Sequence, residues 1–495
     1  MNGTMLRQVR QQLDASCEHR ADALFDVIDA LVCESQATSL AEWSLSPPFR
    51  RTWTNVYKAL QAGKIQVEKI RAILVEALLA GKPENEPVWI AVDGSNVARP
   101  DAKTSEDRTI IHRSNVPLVK TPIGVGWTFS SIVLIPEQTS SWTPILDQQR
   151  VTSAQTAISV ASDQLKALKP LFGTRQIILL ADRWYATPEC LRACHDLGYS
   201  VLIRLTSNRR LFRAPVRRYK HGRSPLDGAL FQGKRAETHG QADEEWREKD
   251  QEERTTSIRR WNHLHFKEDR DLNVQVIRVE REAAKGSKRD PRVRWFVMLD
   301  HAVPLSHIAQ HSARRFSQEH GSRFLKQDLL WACAHVRTPE HMLLWSWVVA
   351  LAFNPLYLAR ELGQAMRQPW ERNGRPVTPR QVRRVMPAIV LQLGTPTRPC
   401  QPRGKAPGRA KGFHPKRATR YPSIRTTSKK EKKDTTSVSP CVLSAFAHHT
   451  MDLSGFLSLV PNGSGESRLS KLQVHWSRKI GVTQAGDLPP PAARF

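Results

Sequence analysis

Apolar positions recur at helical spacing through the first eighty residues. LFDVIDALV at 24–32 and VEKIRAILVEALLAG at 67–81 set Leu, Ile and Val three and four apart, which predicts amphipathic helices. No strand-like alternation interrupts them, and GKPENEP at 81–87 closes the segment. The pattern then changes. VWIAVDGS at 88–95 is a continuous apolar run ended by an acid, GVGWTFSSIVLI at 124–135 reads as a further strand, and AQTAISVASDQLKALK at 154–169 as a helix. QIILLADRWYA at 176–186 repeats the apolar run closed by an acid. A helix with Pro in its first turn and a Gly stop follows at 186–198, then YSVLIRLT at 199–206 returns to strand. Strands alternating with helices predict an α/β sheet layered with helices.

From 207 to 271 the chain is polar and strongly charged, after which NVQVIRVE at 273–280 and RVRWFVML at 292–299 read as two strands. Helices resume near 305 and run through 362. Their most apolar run, MLLWSWVVALAF at 342–353, is too short to span a bilayer and is expected to stop at Asn354-Pro355. Past 393 the signals of packing fade. The pattern thus divides the chain into a helical N-terminal domain (1–84), the first part of an α/β core (85–206), a β-rich insertion (207–304), a helical completion of the core (305–392) and a basic C-terminal tail (393–495).

Charge narrows the class of partner. Lys and Arg number 75 against 47 acids in 495 residues, a net charge of +28, which favours a polyanion because each neutralised phosphate releases counterions. RRLFRAPVRRYKHGR at 209–223 interleaves cations with aromatics, and 401–433 holds twelve Lys or Arg and one acid. The second region has too little apolar area to order itself and reads as a flexible electrostatic arm. Seven scattered cysteines suit a reducing compartment rather than a disulfide framework, and Cys190, Cys194 and His195 lack a second pair at zinc-ligand spacing. With no N-terminal apolar leader, a soluble protein of a bacterial cytoplasm, associated with the nucleoid, is expected.

Three carboxylates carry the candidate chemistry. Asp93 and Asp182 each follow an apolar β run, and ligands of α/β sheets collect outside the carboxyl ends of strands. Glu319 lies in RRFSQEHGSRFLKQ at 314–327, where Arg315, Glu319 and Lys326 share one helical face. Taken singly, each aspartate reads as a turn or cap residue and the glutamate as part of a solvated stripe. Together, oxygen ligands of this kind suit hard cations, and a pair of Mg²⁺ ions there would activate a hydroxyl and stabilise the leaving oxygen of a phosphodiester.

The joint pattern resembles bacterial insertion-sequence transposases of the DDE type, in the group marked by Y-(2)-R-(3)-E-(6)-K. Arg315, Glu319 and Lys326 stand at those intervals, with Asp93 in AVDGS and Asp182 in LADRWY preceding them. The resemblance spans about 85–362 and implies an RNase H-like core with a β-strand insertion, plus a helical domain that binds transposon ends. It implies a metal triad of Asp93, Asp182 and Glu319 with Mg²⁺ (two ions, Mn²⁺ able to substitute), and double-stranded DNA as partner, gripped by a homodimer. The activity implied is DNA strand cleavage followed by strand transfer. Arg315 and Lys326 would hold phosphate, Arg183 would steady a carboxylate or touch DNA, and Trp295 would stack on an unstacked base; Phe316, Trp184 and Tyr185 read as packing residues. The signature tyrosine is replaced by Ser312. A catalytically inactive, domesticated DNA-binding descendant and a related RNase H-like nuclease are the competing readings.

Overall fold

In this computed structural model, the described residues are 3–112, 123–137, 140–216, 225–249, 254–283, 293–300, 303–371, 374–400 and 408–425. Residues 1–426 make one compact unit. The last sixty or so residues and 217–223 of the basic run at 209–223, including Tyr219, lie outside the described residues.

The first elements are helical: α1 (Gly3–Ala15), α2 (Ala21–Cys33), α3 (Thr54–Ala62) and α4 (Val67–Leu79), with a small ribbon of β1 (Cys17–His19) against β2 (Lys64–Ile65). The sheet begins with β3 (Val88–Ala98), β4 (Thr109–His112), β5 (Ile123–Leu134) and β6 (Ile145–Val151). It continues after α5 (Ala157–Leu168) with β7 (Ile177–Ala181), α6 (Pro188–Asp196) and β8 (Ser200–Leu205). Thr156 and Ser159 close a capping box on α5, and Thr187 with Pro188 starts α6, which is why those helices begin where the sequence placed them.

The strand order β6-β5-β3-β7-β8 has β3, β7 and β8 parallel, β5 antiparallel to that set, and β6, antiparallel to β5, running in the same direction as the set. This mixed α/β arrangement is consistent with an RNase H-like core. The expected β-rich region follows as β9 (Arg210–Arg213), β10 (Leu230–Gln232), β11 (Glu244–Lys249), β12 (Thr255–Phe266), β13 (Asp269–Arg281) and β14 (Val293–Met298). It is not a separate layer: β14 pairs antiparallel with β8, so the twelve strands form one sheet. Four of its strands, β9 to β12, lie in the stretch whose charge hid them.

Helices α7 (Leu305–Arg314), α8 (Phe316–Gln327), α9 (Pro339–Leu358), α10 (Arg360–Ala365) and α11 (Pro379–Leu393) complete the unit. Contrary to the expected stop, α9 runs through Asn354-Pro355. Asn354 is fully buried and pairs with β6 through both its amide atoms, accepting from Ile145 N at 2.9 Å and donating to Ile145 O at 2.7 Å. The length and composition of α9 would suffice to cross a membrane, but 83% of its most apolar window is buried inside the protein. α2 packs against α9 and α11, so the first helices share a core with 305–392 rather than standing apart.

The tail expectation also changes. Arg50 donates to Thr397, and Tyr421 N and Ile424 N donate to Lys103 O and Arg108 O at 2.8 and 2.7 Å. Residues 421–424 are therefore tied to the sheet edge, so this part of the tail does not form a free arm.

Candidate active site

The last parallel pair between β3 and β7 joins Val92 to Ala181. Beyond it the strands part. β3 stays hydrogen-bonded to β5, with Asp93 opposite Ser131, whereas the chain after β7 turns into a short 3-10 helix at Arg183–Tyr185. Asp93 and Asp182 are thus the first residues past the split, on strands about 4.8 Å apart. Asp93 does not end its strand, as its sequence context suggested, because β5 keeps pairing with β3 as far as Ala98. Asp182 does end β7 and also caps the following turn, its Oδ1 accepting from Arg183 N at 2.7 Å. Asp93 Oδ1 accepts from Gly94 N at 2.9 Å. Each carboxylate therefore spends one oxygen on the next backbone N–H.

Helix α8 supplies the other side. Arg315 joins α7 to α8 in helical conformation, so the face containing Arg315 and Glu319 survives the junction. The helix is fastened by three contacts: Ser317 Oγ accepts from Ser140 N at 3.1 Å, Phe324 packs on Phe353, and Gly321 lies directly on Thr143. A Cβ at Gly321 would overlap Thr143 Oγ1, so only glycine permits this approach.

Electrostatics tie Asp93 to that helix. Burial pushes the Asp93 carboxyl above its ordinary range; Arg315 most strongly opposes this, followed by the Gly94 N–H, while Asp182 adds to the rise and Lys326 counters it. Burial lowers Lys326, and Asp93 offsets part of that. The structure thus brings together Asp93, Asp182, Arg315 and Lys326. Glu319 is placed differently: its half-exposed carboxylate faces Arg315, with Oε1 3.8 Å from Nη2. Among the described residues no three His, Cys, Asp or Glu side chains converge as a ready metal cluster. Arg315 Nη1 is buried with no hydrogen-bond partner among the described residues, a donor that a phosphate oxygen would satisfy.

The aromatic assignments shift. Trp184 and Phe316 are 74% and 52% exposed, not packed, because one sits in the turn after β7 and the other opens α8. Arg183 is exposed with its guanidinium over the Trp184 ring, 5.6 Å from the centroid. Trp295 is buried in a cluster with Phe231, His239 and Trp261, and the Gly233 backbone closes on its ring, so in this structure it faces protein. Ser312 donates its hydroxyl to Ala309 O within its own helix at 3.0 Å. Tyr185 is buried, as a packing residue would be, and burial together with the nearby Asp93 carboxylate raises its phenol.

Residues 8–264, just over half of the chain, match the DDE superfamily endonuclease family. The chain belongs to that family. The matched stretch contains Asp93 and Asp182 and ends before Glu319. Membership of the DDE superfamily endonucleases implies phosphodiester cleavage with DNA as substrate, and such nucleases typically use divalent metals. No curated protein matches the chain. The donor set of this DDE endonuclease fits a hard cation: two adjacent carboxylates, each with one oxygen left beyond its backbone bond, and burial and mutual repulsion at Asp93 that a dication would relieve.

Proposed function

We propose that the chain is an insertion-sequence transposase that cuts DNA at transposon ends and joins the freed 3′ ends to target DNA. The observation that carries this reading is the placement of Asp93 and Asp182 at the β3–β7 split beside Arg315 and Lys326 of α8. Asp93 and Asp182, joined by Glu319 from α8, would hold divalent metal, in keeping with Mg²⁺ or Mn²⁺. When bound, the metal supplies Lewis acidity for the attacking and leaving oxygens of a phosphodiester.

The remaining roles belong to the chain itself. Arg315 offers an unpartnered buried N–H to the phosphate, and Lys326 adds a second cation on the same side. Arg183 and Trp184 stand exposed beyond Asp182, positioned for the DNA backbone and a base face. Trp295 keeps a stacking role only if its cluster opens. In the first step a water oxygen attacks phosphorus and the 3′ oxygen departs as a hydroxyl. In the second, that hydroxyl attacks a target phosphodiester and releases the target's own 3′ oxygen. A homodimer engaging two DNA ends is part of this proposal.

Glu319→Gln tests it: strand cleavage is lost while duplex binding persists, and undiminished cleavage would remove Glu319 from the site. A second reading, a DNA-binding descendant without catalysis, draws on the Arg315–Glu319 pair and the turned-in Ser312 hydroxyl. Metal-dependent cleavage by the wild-type chain, followed by joining to a second duplex, excludes it. Cleavage without joining would instead mark a plain nuclease.

A further inference from the structure

Residues 408–425 contain six Lys or Arg and no acid, and every residue of the segment is exposed. Such a stretch has no core of its own, yet its C-terminal end is held in place. Arg108, only 4% exposed, donates to Ser105 O at 3.2 Å, to Arg99 O and Pro100 O at 3.1 Å, and to Tyr421 O at 3.0 Å. Tyr421 N donates back to Lys103 O, and Ile424 forms a parallel bridge with Thr109 of β4. β4 ends the sheet path beyond β5, and a free edge of this kind offers unpaired N–H and C=O groups to any strand that can reach it. The segment is a strap over that edge.

Its charges are not consumed internally. Among the described residues, none of Arg409, Lys411, Lys416, Arg417, Arg420 and Arg425 has an acidic partner; Arg409 rests on the Phe413 ring. The strap also has a defined place relative to the acids. Ala98, Gly126, Thr109 and Ile424 form one row across β3, β5, β4 and the strap, five residues along β3 from Asp93. With about 4.8 Å between strands and about 3.3 Å per residue, the strap lies roughly 20 Å from Asp93. One turn of duplex is about 34 Å, so DNA cut at the acids has phosphates within reach of the strap.

We infer that this strap is a pre-ordered phosphate-binding track for the flank of the duplex cut at Asp93 and Asp182. The choice of DNA as partner rests on the function proposed above. What the docking adds is order: Arg420 and Arg425 flank the docked residues Tyr421 and Ile424, and a basic segment anchored at such a point loses less freedom on binding than a free tail.

Binding of the full-length chain to a labelled duplex, measured as a function of salt, tests the inference. Replacing Arg409, Lys411, Lys416 and Arg417 together by Gln should make the slope of log K against log salt shallower by up to about 3.6, at about 0.9 per phosphate contact. Ile424→Pro keeps every charge but removes the N–H given to Arg108 O. It should bind several-fold more weakly at the wild-type slope, with trypsin cutting at 409–417 sooner. An unchanged slope in the quadruple variant, or unchanged affinity in Ile424→Pro, would overturn the track while leaving the active-site reading intact. Strap-dependent DNA binding without any cleavage would overturn only the active-site reading. Tighter strap-dependent binding to RNA than to duplex DNA would overturn the choice of partner.

Discussion

Gly321→Ala is a perturbation whose sign depends on the packing of α8. In an ordinary helix interior, replacing Gly by Ala stabilises by about 1 kcal/mol. Here the added Cβ would overlap Thr143 Oγ1 and sit 3.2 Å from Thr143 Cβ, and Thr143 is itself buried. Overpacking of this kind costs about 1–3 kcal/mol, so the propensity gain is cancelled or exceeded and the net change is a loss of up to about 2 kcal/mol. The effect on cleavage should be larger than the effect on stability. Relief of the overlap moves α8 outward and carries Arg315, Glu319 and Lys326 with it, and a displacement near 1 Å can cost about 10²-fold in rate. Thr143→Ala removes the atom that meets the new Cβ, so the double variant should recover most of both losses in a thermodynamic cycle. Thermal unfolding and single-turnover cleavage read the two effects. If Gly321→Ala raised the melting temperature with cleavage unchanged, α8 would not lie on the 140–144 segment as described.

Asn354→Leu should lower stability by about 2–5 kcal/mol, because Ile145 loses a partner for both its buried N–H and its C=O; a melting temperature within a degree or so of wild type would refute that stitch. His311 stacks on Trp89 at 4.1 Å, and burial, helped by Arg314 and His307, lowers it from 6.5 to about 4. The unfolded chain therefore takes up this proton first: the stability is full above pH 6.5 and falls as pH drops towards 4. At ~1.4 kcal/mol per pH unit the fall has a ceiling of about 3 kcal/mol, which solvent screening at a half-buried ring brings nearer to 1. His311→Phe should flatten this part of the stability profile, and an unaltered profile would assign the acid sensitivity elsewhere.

How much of this was visible in the sequence follows from how local each determinant is. β3 and β7 were legible because strands covered on both faces read as unbroken apolar runs, and the acids that follow those runs marked the split between them. β6 was not, since it buries Asp147, and what makes that tolerable is a two-pronged pair with Arg71 from α4, seventy-six residues earlier. β11 and β12 were hidden for a related reason: Glu244 pairs with Arg260 and Glu245 with Arg259 across the ladder, so charge that looks like loop is satisfied strand to strand. The strap depends on Arg108, more than three hundred residues from Tyr421. Glu319 was found through its spacing to Arg315 and Lys326, but spacing alone could not reveal that its carboxylate lies against Arg315.

Arg315 therefore stands between two acids, and its removal should affect them unequally. Its pair with Glu319 is long, at 3.8 Å, and Glu319 is 48% exposed, a setting in which ion pairs contribute about 0–1 kcal/mol. Towards the partly buried Asp93 it is the largest influence holding the carboxyl down, ahead of the Gly94 N–H and Lys326. Arg315→Gln should thus leave Glu319 nearly indifferent while the Asp93 carboxyl rises further. Because a carboxylate must be ionised to hold a cation, binding of Mn²⁺ to the variant should require higher pH than in wild type. Lys326→Gln should move the same acid limb in the same direction by less, since it ranks below both Arg315 and the backbone bond. Mn²⁺ titrations at a series of pH values separate the two variants without relying on cleavage. Equal displacements would mean that Arg315 and Lys326 act on Asp93 alike, and no displacement in either would detach α8 from the aspartate pair altogether.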